Sequence, residues 1–162
     1  MAEEHAVTRD AQITLREVTR ENLREICKLS VAPDQVLLVA NNAFSIAEAS
    51  FYDDAWYRAI YADETPVGFV MLQEDRVKPE YYLWRYMIDQ RFQRLGFGRR
   101  AITLIVDRVR THPGATELLL LYVPGDRSPA PFYASLGFEE TGVESEGERG
   151  MRLRLAPTPG AD

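Results

Sequence analysis

The chain is poor in the residues that staple, ligate and span. Its single cysteine, Cys27, has no partner within the sequence, so no internal disulfide framework exists and a reducing compartment suits it. Its two histidines are His5, near the start, and His112, beside Pro113, and neither is poised for catalysis. No metal site is expected. The longest apolar run, Leu118 to Val123, is far too short to cross a bilayer. The first twelve residues carry Glu3, Glu4, Arg9 and Asp10 around no apolar centre, unlike a secretory leader. Positive charge is in deficit, with a formal net charge of −6, which argues against a nonspecific nucleic-acid partner and favours a cationic small substrate. These absences lead to the expectation of a cytoplasmic protein without a membrane or nucleic-acid partner.

What is present suits one domain. At 162 residues a chain buries about two-thirds of its unfolded surface, enough for a core without staples. No internal repeat is visible. The expected domain covers residues 12–155, between an N-terminal tail over 1–11 and a C-terminal tail over 156–162 that is poor in apolar residues. Ile13 to Val18 alternates as a strand, and Thr19 and Asn22 stand at capping positions before a helix with Leu23, Ile26, Cys27 and Leu29 on its apolar face. A second helix is expected near Ser45 to Tyr52. A hairpin follows, Trp56 to Tyr61 turning through residues 62–66 into Val67 to Glu74. Next come a strand over Tyr81 to Ile88, a helix from Gly98 to Thr111 and a strand over Leu118 to Val123. A short helix near Ala130 to Leu136 and strands near Phe138 to Val143 and Gly150 to Leu155 complete the order. The mixture predicts an α/β (α+β) sheet packed by helices.

The most informative stretch is Asp89 to Ala101, where a strand-like run gives way to a helix through Gly96 and Gly98. Glycine permits positive φ and a close ligand, so successive N–H groups and the helix N-terminus can face one phosphate. Gly96, Gly98 and Ala101 also satisfy the dinucleotide pattern G-x-G-x-x-A, but Gln90 to Leu95 separate the strand from the first glycine, and Glu117 precedes the next strand instead of ending it. No G-x-x-x-x-G-K-[ST] phosphate loop occurs. Taken alone, the two glycines also read as a capping turn. Arg91, Arg94, Arg99, Arg100, Arg108 and Arg110 gather positive charge around the loop, which suits an anionic cofactor or a solvated helix face.

Gln93-Arg94-Leu95-Gly96-Phe97-Gly98 resembles the Q/R-x-x-G-x-G/A signature of the GCN5-related N-acetyltransferases (GNAT), and Pro131 to Phe138 resembles that family's tyrosine-bearing helix and the x-x-G-F turn after it. Residues 66–72, 81–89 and 117–123 are similar to its third, fourth and fifth strands. With Ile46-Ala47-Glu48-Ala49 and Ala55 to Ile60, the pattern is most similar to the bacterial spermine/spermidine (diamine) acetyltransferase branch. The resemblance implies a mostly antiparallel sheet splayed between its fourth and fifth strands, with helices on both faces. It implies acetyl-CoA as co-substrate, its pantetheine arm along Met87, Ile88 and Asp89 and its pyrophosphate at Gln93, Arg94, Leu95, Gly96, Phe97, Gly98 and Arg99. The reaction implied is attack of a primary amine, a polyamine or diamine, on the thioester, with support for a tetrahedral oxyanion.

By the same resemblance Tyr133 is the general acid for the leaving thiolate, although an isolated tyrosine there would also serve as a packing aromatic. A phenol near its reference value of about 10 does not protonate a thiolate of about 8.5 unaided, so its pKa must fall or it must act by hydrogen bonding alone. No residue declares itself as the base. Glu48, Asp53, Asp54 and Glu80 could attract ammonium groups, with Glu48 preferred for the acceptor, while Asp53-Asp54 also reads as a helix-to-strand turn. Trp84, with Trp56 and Tyr82, offers aromatic faces for an alkylammonium chain or for the core. The approach to Tyr133 departs from the family, with Asp126 where relatives place an asparagine that meets the cofactor arm, and with Pro129 and Pro131 that force a late helix start. Another amine, of an aminoglycoside-type antibiotic or a protein, and a non-catalytic acyl-CoA-binding module remain as alternatives, with a homodimer as the candidate assembly.

Overall fold

The computed structural model describes residues 6–36 and 38–156. Among the described residues seven strands and four α-helices follow one another as β1 (Ile13–Arg16), α1 (Leu23–Lys28), α2 (Asn42–Ala49), β2 (Ala55–Ala62), β3 (Thr65–Asp75), β4 (Glu80–Ile88), α3 (Phe97–Arg110), β5 (Glu117–Tyr122), α4 (Ala130–Ser135), β6 (Glu139–Ser145) and β7 (Glu148–Arg154). The strands form one sheet in the order β1-β2-β3-β4-β5-β7-β6. Every neighbouring pair is antiparallel except β4 and β5. The ladder of that parallel pair holds only Tyr82↔Leu119 and Leu83↔Leu120, so the two strands part beyond Leu83. The mixed sheet with its splay between the fourth and fifth strands is the architecture expected from the resemblance.

Side-chain alternation along the strands sorts the apolar residues onto two faces. In β3, Val70 and Leu72 join Ile105 and Val109 of α3 on one side, while Phe69 and Met71 join Ile26 of α1 and Ala49 of α2 on the other. Helix α3 buries Phe97, Ala101, Ile102, Ile105, Val106 and Val109, a single stripe at helical spacing. Each of the larger side chains, fully buried, contributes about 1.5–3 kcal/mol. Helix α2 begins three residues before the expected Ser45, because the Asn41 side chain accepts a bond from the Phe44 N–H at 2.8 Å and closes the first turn. Thr19 and Asn22 exchange side-chain to backbone bonds ahead of α1, but the Asn22 side chain at the N-cap accepts from no N–H of the helix. Two short 3-10 turns, Pro33–Gln35 and Gln90–Phe92, were not foreseen.

Part of the expected N-terminal tail is placed against the domain. Arg100 donates to the carbonyl oxygens of Ala11 and Arg9 at 2.7 and 2.6 Å, and Ala11 is buried. Residues 1–5 and 157–162 of the two tails lie outside the described residues.

A buried carboxylate ties α3 to the sheet. Glu74 on β3 accepts from Arg108 Nε at 3.1 Å and Nη2 at 2.8 Å, and His112 Nε2 stands 2.6 Å from its Oε2. Arg108 also lies 3.9 Å above the Trp56 ring, and His112 stacks on Tyr81. Since Arg108 is partly exposed and regains water when its partner is lost, Glu74→Ala is expected to destabilise the fold by about 2–3 kcal/mol. A denaturant midpoint equal to the parent's would show that this anchor contributes nothing.

Candidate active site

The parting of β4 and β5 opens a cleft of ≈ 1030 Å³ between Arg85 to Ile88 on one wall and Leu121 to Val123 on the other. The start of α3 closes one end, α4 another, and residues of the α1–α2 connection such as Val31, Val36 and Val39 roof it. The β4 wall carries a bulge. Met71 pairs with Arg85 while the next residue, Leu72, pairs with Leu83, so Trp84 is an extra residue opposite the β3 ladder. Tyr81 and Leu83 face the α3 side before it, and Tyr86 and Ile88 face that side after it. The bulge thereby reverses the alternation and sets both Trp84 and Arg85 on the α2 side.

The loop from β4 to α3 is built from several anchors. Asp89 is buried, its N–H donates to Val67 O at 2.8 Å, and its carboxylate accepts from the N–H of Ser30 and from the N–H and Nε of Arg91 at 2.8–3.0 Å. The Gln93 side chain donates to Ile88 O and to Gln35 Oε1, tying the loop to the roof. Arg94 at φ 65° and Gly96 at φ 83° then turn the backbone into α3. Since Arg100 N–H is the first to reach back, to Gly96 O at 3.3 Å, the amides of Phe97, Gly98 and Arg99 have no intrahelical acceptor. Gly96 lines the cleft, and a Cβ on it would meet nothing within 4 Å. Gly98 is instead enclosed: Tyr86 Oη donates to its carbonyl at 2.6 Å, and a Cβ there would come 3.2 Å from Tyr86 Oη and 3.4 Å from Phe132 Cζ.

Burial opposes ionisation of Asp89, but the Arg91 side chain and the N–H groups of Ser30 and Arg91 outweigh it and hold the carboxyl below its ordinary value. A lowered folded-state pKa stabilises the fold fully above the unfolded value of about 3.9 and is lost as pH falls through the folded value. Asp89→Asn is therefore expected to lessen the loss of stability below about pH 4, measured as denaturation midpoints across an acid series. An identical acid slope in the variant would mean that Asp89 carries no such linkage.

Tyr133 faces the cleft from α4, and its ring lies between Phe132 and Phe138, each 5.4 Å away between centroids. Pro131 falls in the first turn of α4, and Ser128 Oγ accepts from the Ala130 N–H at 3.1 Å, so the helix starts late without a break. Burial pushes the Tyr133 phenol far above its ordinary value. Tyr86 is raised well above its own by burial and by the neighbouring Tyr133. Both stay neutral O–H donors at working pH. Asp126 is exposed and lies outside the cleft lining, whereas its neighbours Arg127 and Ser128 line it.

Among the expected site residues, Met87, Ile88, Gln93, Arg94, Gly96, Gly98, Arg99, Trp84 and Tyr133 line one cleft. The Leu95 and Phe97 side chains pack against the core. Glu48 stands behind the lining, where its Oε1 accepts from Arg85 Nη2 at 3.2 Å, and Asp53 is exposed in the turn between α2 and β2. Sequence reasoning missed Tyr86 and Arg85. The double aromatic start of β4 drew attention to Trp84 and Tyr82, and nothing in the sequence marks a bulge. Among the described residues no helix is long and apolar enough to cross a membrane, and no group of three His, Cys, Asp or Glu could hold a metal ion.

The parted parallel strands, the helix start with free amides and the phenol across from them define an acetyl-CoA-dependent N-acetyltransferase, with acetyl-CoA as co-substrate. The sequence description of the acetyltransferase (GNAT) family matches residues 32–138, and the chain belongs to that family. It transfers an acetyl group from acetyl-CoA to an amine. No curated protein matches the chain. Among solved structures it is similar to an acetyltransferase from Thermus thermophilus, with 16% identity, TM-score 0.70, and 89% of this chain and 97% of that one covered. It is also similar to the spermidine N-acetyltransferase of Vibrio cholerae in complex with CoA and spermine, at 17% identity and TM-score 0.68 over 88% of this chain and 95% of that one. A third is the ribosomal-protein-S18-alanine N-acetyltransferase of Escherichia coli, at 16% identity and TM-score 0.66 over 93% and 98%. At these identities the likeness is one of fold, and it does not choose between a polyamine and a protein amine.

Proposed function

We propose that the acetyl acceptor is the primary amine of a short diamine or polyamine, and that residues 12–155 act as one acetyltransferase domain. The observation that carries the choice of amine is the corner made by the bulge. There Trp84 packs edge-on to Tyr52 with centroids 5.0 Å apart, and the Glu48 carboxylate accepts from Arg85, whose guanidinium carbon lies 5.3 Å from the Trp84 ring centre. An aromatic face next to a carboxylate suits an alkylammonium chain, with about 0.5–2 kcal/mol from cation–π attraction. Glu148 places a carboxylate in the cleft lining itself, while Glu48 stands behind it.

In this reading the amides of residues 96–99 hold the pyrophosphate, Arg94 and Arg99 add charge at the rim, and the β4 edge at Met87 and Ile88 pairs with the pantetheine arm. Asp89 and Gln93 act on the cofactor through the loop they shape. Acetyl-CoA supplies the acyl thioester, and Tyr133 donates a hydrogen bond at the departing sulfur. Thiol release at fixed acetyl-CoA, measured over diamines, polyamines, aminoglycosides and peptides, tests the acceptor. Diamines and polyamines are expected to give the highest kcat/KM. Preference for a peptide or an aminoglycoside would overturn the amine, and no release with any acceptor would leave an acyl-CoA-binding module.

A further inference from the structure

The corner proposed for the acceptor already contains a cation. Arg85 lines the cleft, its Nη2 lies 3.2 Å from Glu48 Oε1, and its guanidinium carbon lies 5.3 Å from the centre of the Trp84 ring. Carboxylate and aromatic face together are what a substrate ammonium would use. The seat is held imperfectly. Nη1 bonds only the carbonyl of the preceding residue, Trp84, at 3.1 Å, and Nε is buried with no partner. A buried donor left unpaired is costly, so this pose is easier to displace than a fully bonded arginine. The pair is also reachable, its side chains being 20% and 24% exposed. It exists because the Trp84 bulge turns two successive side chains to the α2 side, where a regular strand would send Arg85 to the other face.

We infer that Arg85 is a built-in stand-in for the second ammonium of a diamine, competing with it for Glu48, and is thus the residue that sets how strongly the enzyme prefers diamines over monoamines. The inference rests on the diamine reading above. When a diamine binds, its distal ammonium takes the Glu48 carboxylate and Arg85 swings into the cleft water. A monoamine has no second cation and leaves the pair intact. Substituting Arg85 with an uncharged residue of similar length therefore strengthens diamine binding, the reverse of what loss of a substrate contact would do.

The test compares kcat/KM for 1,3-diaminopropane and n-propylamine in the parent, Arg85→Met, Glu48→Gln and the double variant, with acetyl-CoA affinity by calorimetry as the control for folding. The ratio of diamine to monoamine kcat/KM is expected to rise about tenfold in Arg85→Met, and to fall below the parent's in both variants that carry Glu48→Gln. An unchanged or lowered ratio in Arg85→Met that still binds acetyl-CoA overturns the role given to Arg85 and leaves the diamine reading standing. A parent with no preference for the diamine overturns both. If Arg85→Met fails to bind acetyl-CoA, Arg85→Gln is judged by the same ratio, and failure of both to bind means that Arg85 is structural and the inference is wrong.

Discussion

Tyr133→Phe is expected to lower kcat by about 10²-fold or more while leaving acetyl-CoA affinity nearly unaltered. The ring is buried between Phe132 and Phe138, and phenylalanine keeps that packing, so only the hydroxyl is lost. Two modes were open to this hydroxyl from the sequence. Burial raises the phenol's pKa, which weighs against full proton transfer to a thiolate and favours hydrogen bonding to the sulfur as it leaves. A raised pKa keeps the proton on Tyr133 throughout the working range, so kcat is expected to show no alkaline fall below about pH 10 that Tyr133→Phe removes. Single-turnover thiol release in parent and variant, with calorimetry for acetyl-CoA, checks the effect. Equal rates would exclude Tyr133 from the chemistry.

Gly96→Val is expected to weaken acetyl-CoA binding by at least about tenfold, the second large effect. Gly96 sits at φ 83°, where an L side chain costs about 1–2 kcal/mol and a β-branched one fits worst. A valine there would add its bulk to the wall of the cleft, where a Cβ meets nothing within 4 Å. Strain and obstruction therefore act together. The reason differs at Gly98, where a Cβ would press on Tyr86 Oη and Phe132 Cζ and disturb the bond that Tyr86 gives to the Gly98 carbonyl. Calorimetric titration of a folded Gly96→Val variant reads the loss, and parent-like affinity would remove Gly96 from the cradle.

Periodic elements were legible because burial writes itself into sequence. The stripe Ala101, Ile102, Ile105, Val106 and Val109 marked α3 within one residue of its start, and the run Leu118 to Val123 marked β5, which spans Glu117–Tyr122. The glycine loop was legible because Gly96 answers a conformational need. Features made by register were not. A bulge is one residue of mismatch between two strands, and nothing in Tyr81 to Ile88 shows that the alternation reverses at Trp84. Arg85 therefore could not be placed beside Glu48, nor Tyr86 beneath Gly98. Asp89 was assigned to the cofactor arm by its position at the end of β4, and only the structure shows its carboxylate shared among Ser30 and Arg91. Asp126 was similarly assigned from its place in a motif, while the turn leaves it on the surface.

Backbone amide shifts during titration with coenzyme A test most directly whether main-chain N–H groups at the start of α3 hold the pyrophosphate. The N–H signals of Gly96, Phe97, Gly98 and Arg99 are expected to move furthest, to saturate together, and to stay in place when pantetheine alone is added. Saturation with coenzyme A that leaves those four signals unmoved while others shift would contradict it.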